Sequence, residues 1–355
     1  MNNKKWLLEN SNIPIKFNLN LDSISSNNEF LQFPEVQYWM SYLKKYYETN
    51  CMPKIHGSHD YRFENIMGKL VQLGAYSEIE SFHQYVSIYL NFLHGHIQRA
   101  NKDPLSFGKV YQSYDYELII ATFLSQAGYF KDYAIQYVFQ KRLNILYSFA
   151  IEKRYDIYMD ASNLPGVKKE WKDSIIHTDL YMDGNIHLPT VHDIIFFGIA
   201  MKNHPDIATI DKVNVILDWI FDDRYKDISD RYGYFYIPWG SYATKAICWK
   251  FRMPDVLIMD ESAKSLNSLL HSTYIMSFFE NSKSSDWFNA ALTYLNSFKT
   301  ESERYIFPRD MLQEKKDGYW IFGSHMGMGE DRKIKSFIEI ESTYWMEKIL
   351  DNIKN

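Results

Sequence analysis

A chain of 355 residues with a net charge of −5 can bury a large core without disulfides, and its length alone allows about two domains. Glycine and proline make up about 7% of it, against roughly 12% in average usage, while Trp, Tyr and Phe make up 17%. That balance excludes collagen-like, low-complexity and disordered chains and argues against a turn-rich β sandwich. The longest basic runs are pairs such as Lys4-Lys5, Lys44-Lys45 and Lys315-Lys316, so no nucleic-acid partner is expected. No apolar run approaches the ~18 residues of a membrane span. Two distant cysteines, Cys51 and Cys248, and a polar Met1–Asn12 point to a soluble protein of the reducing cytoplasm.

Helical periodicity dominates in chain order. Pro34 opens a helix with Val36, Trp39, Leu43 and Tyr46 on one side. Phe63, Ile66, Met67, Leu70 and Val71 form the face of the next, stopped by Gly74. Ser77 and Glu80 fit a capping box opening a long helix through Ile97. Helices follow from about Asp115 to Ala127, stopped by Gly128, and from Asp132 to Ile151. Thr190-Val191-His192-Asp193 is a second capping box, leading into Ile194–Met201. Further helices are predicted over 207–222, 241–251, 262–280, 285–300 and 332–353. Only Tyr232–Ile237 and Gly318–Phe322 alternate like short strands.

Several helices are entered through loops of Asp, Gly and aromatic residues: His56–Tyr61, Tyr111–Tyr116, Tyr181–Gly184, Tyr232–Phe235 and Asp317–Trp320. Their starts lie roughly 50 to 85 residues apart, with a degenerate unit expected near His271, and each interval holds about two helices. This is the pattern of a helical-hairpin repeat. The last helix is as apolar as the others, with Trp345, Ile349 and Leu350, as it would be if it packed on the first unit. The expectation is an all-α fold, an α/α toroid of about five to six hairpins: one domain over 31–355 after an N-terminal extension over 1–30.

The C-terminal unit carries Asp317-Gly318-Tyr319-Trp320, then Phe322-Gly323-Ser324 and Gly329-Glu330, then Glu339-Ile340-Glu341-Ser342-Thr343-Tyr344-Trp345. It resembles the repeat unit of the α/α toroid superfamily that includes terpenoid cyclases and protein prenyltransferases. The resemblance implies an apolar or isoprenoid-like substrate in a central aromatic-lined cavity, with an Asp as general acid. The chain departs from the family's chemistry. It has no Asp-x-Asp-Asp motif, Asp222-Asp223 being its only Asp pair, and no strict Gln-to-Trp repeat. Ile247-Cys248-Trp249 does not match the zinc ligands of prenyltransferases, and Cys51 lies too early for a lanthionine-synthetase-like pair. Fold alone transfers no activity.

In a toroid these loops would converge at one mouth, where helix N-termini favour anions. The catalytic candidates are His59 and Asp60 of His56-x-x-His59-Asp60, Asp115, Asp183 and His192. The substrate-binding candidates are Tyr61, Tyr114, Trp239, Tyr242, Trp320, His325 and Tyr344. A loop-borne His-x-x-His is a poor zinc pattern, so no metal and no cofactor is assigned. Each candidate has a plainer reading: Asp193 as a capping acid, Asp115 as a partner of the helix dipole, Trp239 and Tyr242 as core. The glycine-rich Gly323–Glu330 reads as a lid or a flexible connection, lacking the strand that a Walker or Rossmann loop requires. A carbohydrate-active toroid using His and Tyr or paired carboxylates, and a non-catalytic scaffold, are the alternatives to the isoprenoid enzyme. The expected partner is a small molecule in the central cavity.

Overall fold

The stretch expected as an N-terminal extension forms α1 (Asn3–Asn10) and α2 (Ile13–Leu19), whose Leu7, Ile15 and Phe17 are buried in the main hydrophobic core. This computed structural model describes residues 2–19, 27–102, 114–181, 184–236, 244–246, 249–256 and 263–354. Of these, 99–102, 114–115, 244–246 and 263–265 are described as backbone alone. The chain is mostly helical. After α3 (Asn27–Gln32), α4 (Pro34–Glu48) starts with proline at its first position and buries Val36, Trp39, Met40 and Leu43. The helix α5 (Phe63–Leu73) ends where Gly74 adopts a left-handed φ of 118°, a conformation that costs glycine nothing.

The long α6 (Glu80–Lys102) begins three residues after Ser77. Ser77 therefore does not cap it; its N–H donates instead to the Ala127 carbonyl at 2.8 Å. Next come α7 (Tyr114–Leu124), continued by one wider turn to Tyr129, and α8 (Tyr133–Ala150), capped by the Asp132 side chain. The capping box at the start of α9 (Val191–Lys202) forms as its sequence predicts, with Thr190 and Asp193 bonding reciprocally. Asp206 caps α10 (Ile207–Phe221).

The helix expected over 241–251 is not formed at 244–246. There a strand, β2 (Thr244–Ala246), pairs antiparallel with β1 (Tyr234–Tyr236), so a tertiary pairing overrides the apolar pattern. The chain then forms α11 (Ala263–Met276), α12 (Asp286–Asn296), capped by Ser285, and α13 (Phe337–Lys354). Gly318–Phe322 is not extended: residues 320–322 form one tight helical turn ending at Gly323, φ 73°.

Helices pack in series, α5 on α7, α7 on α9, α9 on α11 and α11 on α13, while α6 packs on α7 and α8, α8 on α7, α9 and α10, and α12 on α11. The chain ends meet. Helix α1 packs on α13, where Lys4 pairs with Asp351 at 2.7 Å and Asn3 bonds Glu347 at 3.0 Å. No described helix is long and apolar enough to cross a membrane.

Candidate functional site

The first turn of α5 places Glu64 and Asn65 inside the protein, both fully buried. The loop before it folds over them. The Ile55 carbonyl accepts from the Glu64 N–H at 3.2 Å, and the Gly57 N–H donates to Glu64 Oε1 at 2.9 Å. Gly57 manages this turn at a φ of 147°, where a side chain would be strained.

Two imidazoles close on the same carboxylate. His56 Nδ1 lies 2.9 Å from Glu64 Oε1 and 3.0 Å from Oε2. His192, in the first turn of α9, brings its Nε2 to 3.1 Å from Oε2. The three donor atoms all lie within 4.8 Å of one another. Glu64 and His192 are sealed inside, whereas the His56 side chain keeps 35% of its surface in solvent, so access is from that side. Burial by itself would raise the Glu64 carboxyl, but the charge and hydrogen bonds of the two imidazoles outweigh it and hold the pKa at about 2.

Asn65 ties the third segment to this pair. Its amide donates to the carbonyls of Gly57, His59 and Gly318, and its oxygen accepts from the Trp320 N–H at 2.9 Å. The Asp317–Trp320 loop is thereby pinned beside the triad. The Tyr319 ring lies 5.4 Å from His56. Burial raises the Tyr319 hydroxyl, Glu64 adds to this, and Ser58, Arg231 and Arg62 oppose it. Trp320 points inward. It packs edge-on to Phe123 of α7 and His271 of α11, and its indole N–H donates to Gln72 of α5 at 2.8 Å.

Of the residues predicted from sequence, His192 joins this centre. His59 sits at its rim, bonded through Nδ1 to Asp317 and stacked on the exposed Tyr61 at 5.1 Å. Asp60 accepts from the Tyr38 hydroxyl at 3.0 Å. Trp320, His325 and Tyr344 are buried side chains within the packed interior. Asp183, Trp239 and Tyr242 lie outside the described residues, as do the side chains of Asp115 and Tyr114.

Gly323–Glu330 is neither a lid nor a loose connection. Lys69 Nζ and the Gln72 amide both donate to the carbonyls of His325 and Gly327. Glu341 Oε1 accepts from the Met328 and Glu330 N–H groups at 2.7 and 3.2 Å, and Trp345 donates to the Met326 carbonyl. The segment is built into the interior, and Lys69 itself is neutralised there by Glu314.

A separate cleft of about 930 Å³ opens between α10, the 250–256 segment and α12, lined among others by Tyr225, Lys250, Arg252 and Trp287. A series of ring contacts leads from it toward the triad. Arg252 stacks over Phe322 at 3.7 Å, Phe322 meets Trp249 at 5.0 Å, and Trp249 meets Tyr319 at 6.0 Å.

Sequence reasoning missed Glu64. An acid in the first turn of a helix is ordinarily a partner of the dipole, and its two imidazoles are 8 and 128 residues away. The one local signal was a carboxylate beside Phe63 and Ile66 on a strongly apolar helix. No family model, curated protein or solved structure matches the chain.

Proposed function

We propose that the protein is a metal-dependent enzyme in which His56, Glu64 and His192 hold one divalent ion of the zinc class. The observation that carries this is the convergence of two imidazole nitrogens and a buried carboxylate within 4.8 Å. Bound ions of this class sit ~2.1 Å from such donors, and two His with one Glu is a ligand set of catalytic zinc sites that leave a position open for water. The donor set contains no thiolate, which favours an open, reactive site over a closed structural one. An ion held by these residues would lower the pKa of a bound water toward neutrality, which favours hydrolysis as the reaction class. The half-exposed His56 edge is the side from which substrate enters, with Tyr319 beside it.

The serial packing of α5, α7, α9, α11 and α13, with α1 on α13, supports a ring of hairpins, an α/α toroid whose inner-helix N-termini carry the centre. The isoprenoid reading has less support, because Trp320, His325 and Tyr344 are packed rather than arrayed around a space. A carbohydrate-active enzyme working without metal through His56 and Tyr319 is the second reading, favoured by the 5.4 Å approach of those rings.

Cobalt titration of chelator-treated protein tests the first. One equivalent should bind with visible d–d absorption. Glu64→Gln, His192→Gln and the partly exposed His56→Gln should each weaken it by more than the roughly 10–100-fold that loss of an outer partner costs. Normal far-UV circular dichroism of His56→Gln with unchanged cobalt affinity would sink the assignment.

A further inference from the structure

Two guanidinium groups act on Tyr319, whose ring lies 5.4 Å from His56 of the triad. We propose that they receive an oxyanion, a carboxylate or a phosphate, carried by the substrate of that site; the location of this substrate rests on the function proposed above.

Arg62 is the extended residue just before α5, and its side chain runs back along the loop it ends. A Cβ on Gly57 would lie 2.8 Å from Arg62 Nε, so the guanidinium stem lies against the residue next to His56. Its Cζ is 5.0 Å from the Tyr61 ring, and its Nε is buried with no hydrogen-bond partner. Arg231 is exposed and belongs to a different segment of the chain. Its Cζ lies 4.7 Å over Trp249, which touches Tyr319, which touches His56. The positive charges of both arginines act on the Tyr319 hydroxyl.

Of the nearby carboxylates, Asp317 is held by His59 and Asp230 by Arg252 at 3.0 Å, while Asp60 accepts from the Tyr38 hydroxyl through Oδ2 alone. Neither Arg62 nor Arg231 forms an ion pair among the described residues. Two uncommitted guanidiniums beside a partly enclosed centre raise the local potential for anions. Their planar forks match the two oxygens of a carboxylate or phosphate. Both cations project over aromatic rings, which keeps the forks oriented without consuming their N–H donors.

Isothermal titration with inorganic phosphate, glucuronate and glucose tests this, on metal-loaded and on chelator-treated protein. An oxyanion should bind and glucose should not, and the tighter of phosphate and glucuronate names the group. Arg62→Gln and Arg231→Gln should each weaken that binding at least about tenfold, the loss of one charge-assisted bond. Both variants should keep the cobalt spectrum of the parent. Equal binding of glucose, no oxyanion binding, or unchanged affinity in both variants overturns the proposal. Arginine-dependent oxyanion binding in a protein that takes up no cobalt upholds it and rejects the metal centre instead.

Discussion

Asp193 holds two elements with one carboxylate. Its Oδ2 accepts from the Thr190 N–H and hydroxyl, each at 2.8 Å, and Arg142 of α8 reaches its two oxygens at 2.7 and 2.8 Å. Both charged residues are buried. The capping role was legible because Thr-x-x-Asp is local. The guanidinium was not, being 51 residues away on a helix whose pattern is apolar. Asp193→Ala leaves Arg142 buried without its counter-charge, which should cost ~3–5 kcal/mol and lower the thermal midpoint markedly. Glu341 predicts a pH dependence. Burial raises its carboxyl to about 7 against the pull of Arg332 and two backbone N–H groups. The folded state therefore keeps a proton that the unfolded chain releases above 4.5. That contribution is complete below 4.5 and lost as pH rises to 7. The urea midpoint of Glu341→Gln should fall less over this window than that of the parent; parallel curves would refute the assignment.

Helix α5 concentrates the interior chemistry. Glu64, Asn65, Lys69 and Gln72 are all buried on it and bond the His56 loop, the 318–320 turn or the glycine-rich segment. Its apolar face and its Gly74 stop were readable from spacing. Its polar face was not, since buried polar side chains follow no period and answer to partners on other segments, from 6 to 258 residues away. Gly68 sits among them. A Cβ there would overlap the Trp320 ring, and that ring is confined by Phe123, His271 and Gln72. Gly68→Ala should destabilise the fold by ~1–3 kcal/mol, the usual range for overpacking. It should also shift Trp320 fluorescence, because the indole must leave its place to admit the methyl.

At the scale of the molecule, the chain ends brace the structure. Asn12 donates to Glu330 Oε1 and the Met328 carbonyl, and Asn18 donates to the Gln72 and Leu73 carbonyls at the end of α5. Removing residues 1–19 uncovers these partners together with the core side chains of α1 and α2. Such a truncation should melt well below the intact chain and be cleaved faster by protease in the 323–330 segment. Most helices from α4 onward were legible because 3.6-residue periodicity is a local property. Which helices face each other, and which polar groups they enclose, depends on closure between distant segments.

The pinning of the 318–320 turn by Asn65 has a temporal consequence. The two partners are 253 residues apart in the chain. On a ribosome making 5–20 residues per second, roughly ten to fifty seconds pass between their appearances. Throughout that interval His56 and Glu64 exist without the turn that walls them in. The nascent chain is thus a different chemical species from the finished one, with an open carboxylate that any passing cation can reach. For the ion proposed above, loading before the last tenth of the chain is made and loading after closure are then distinct routes, separable by supplying the ion during or after cell-free synthesis.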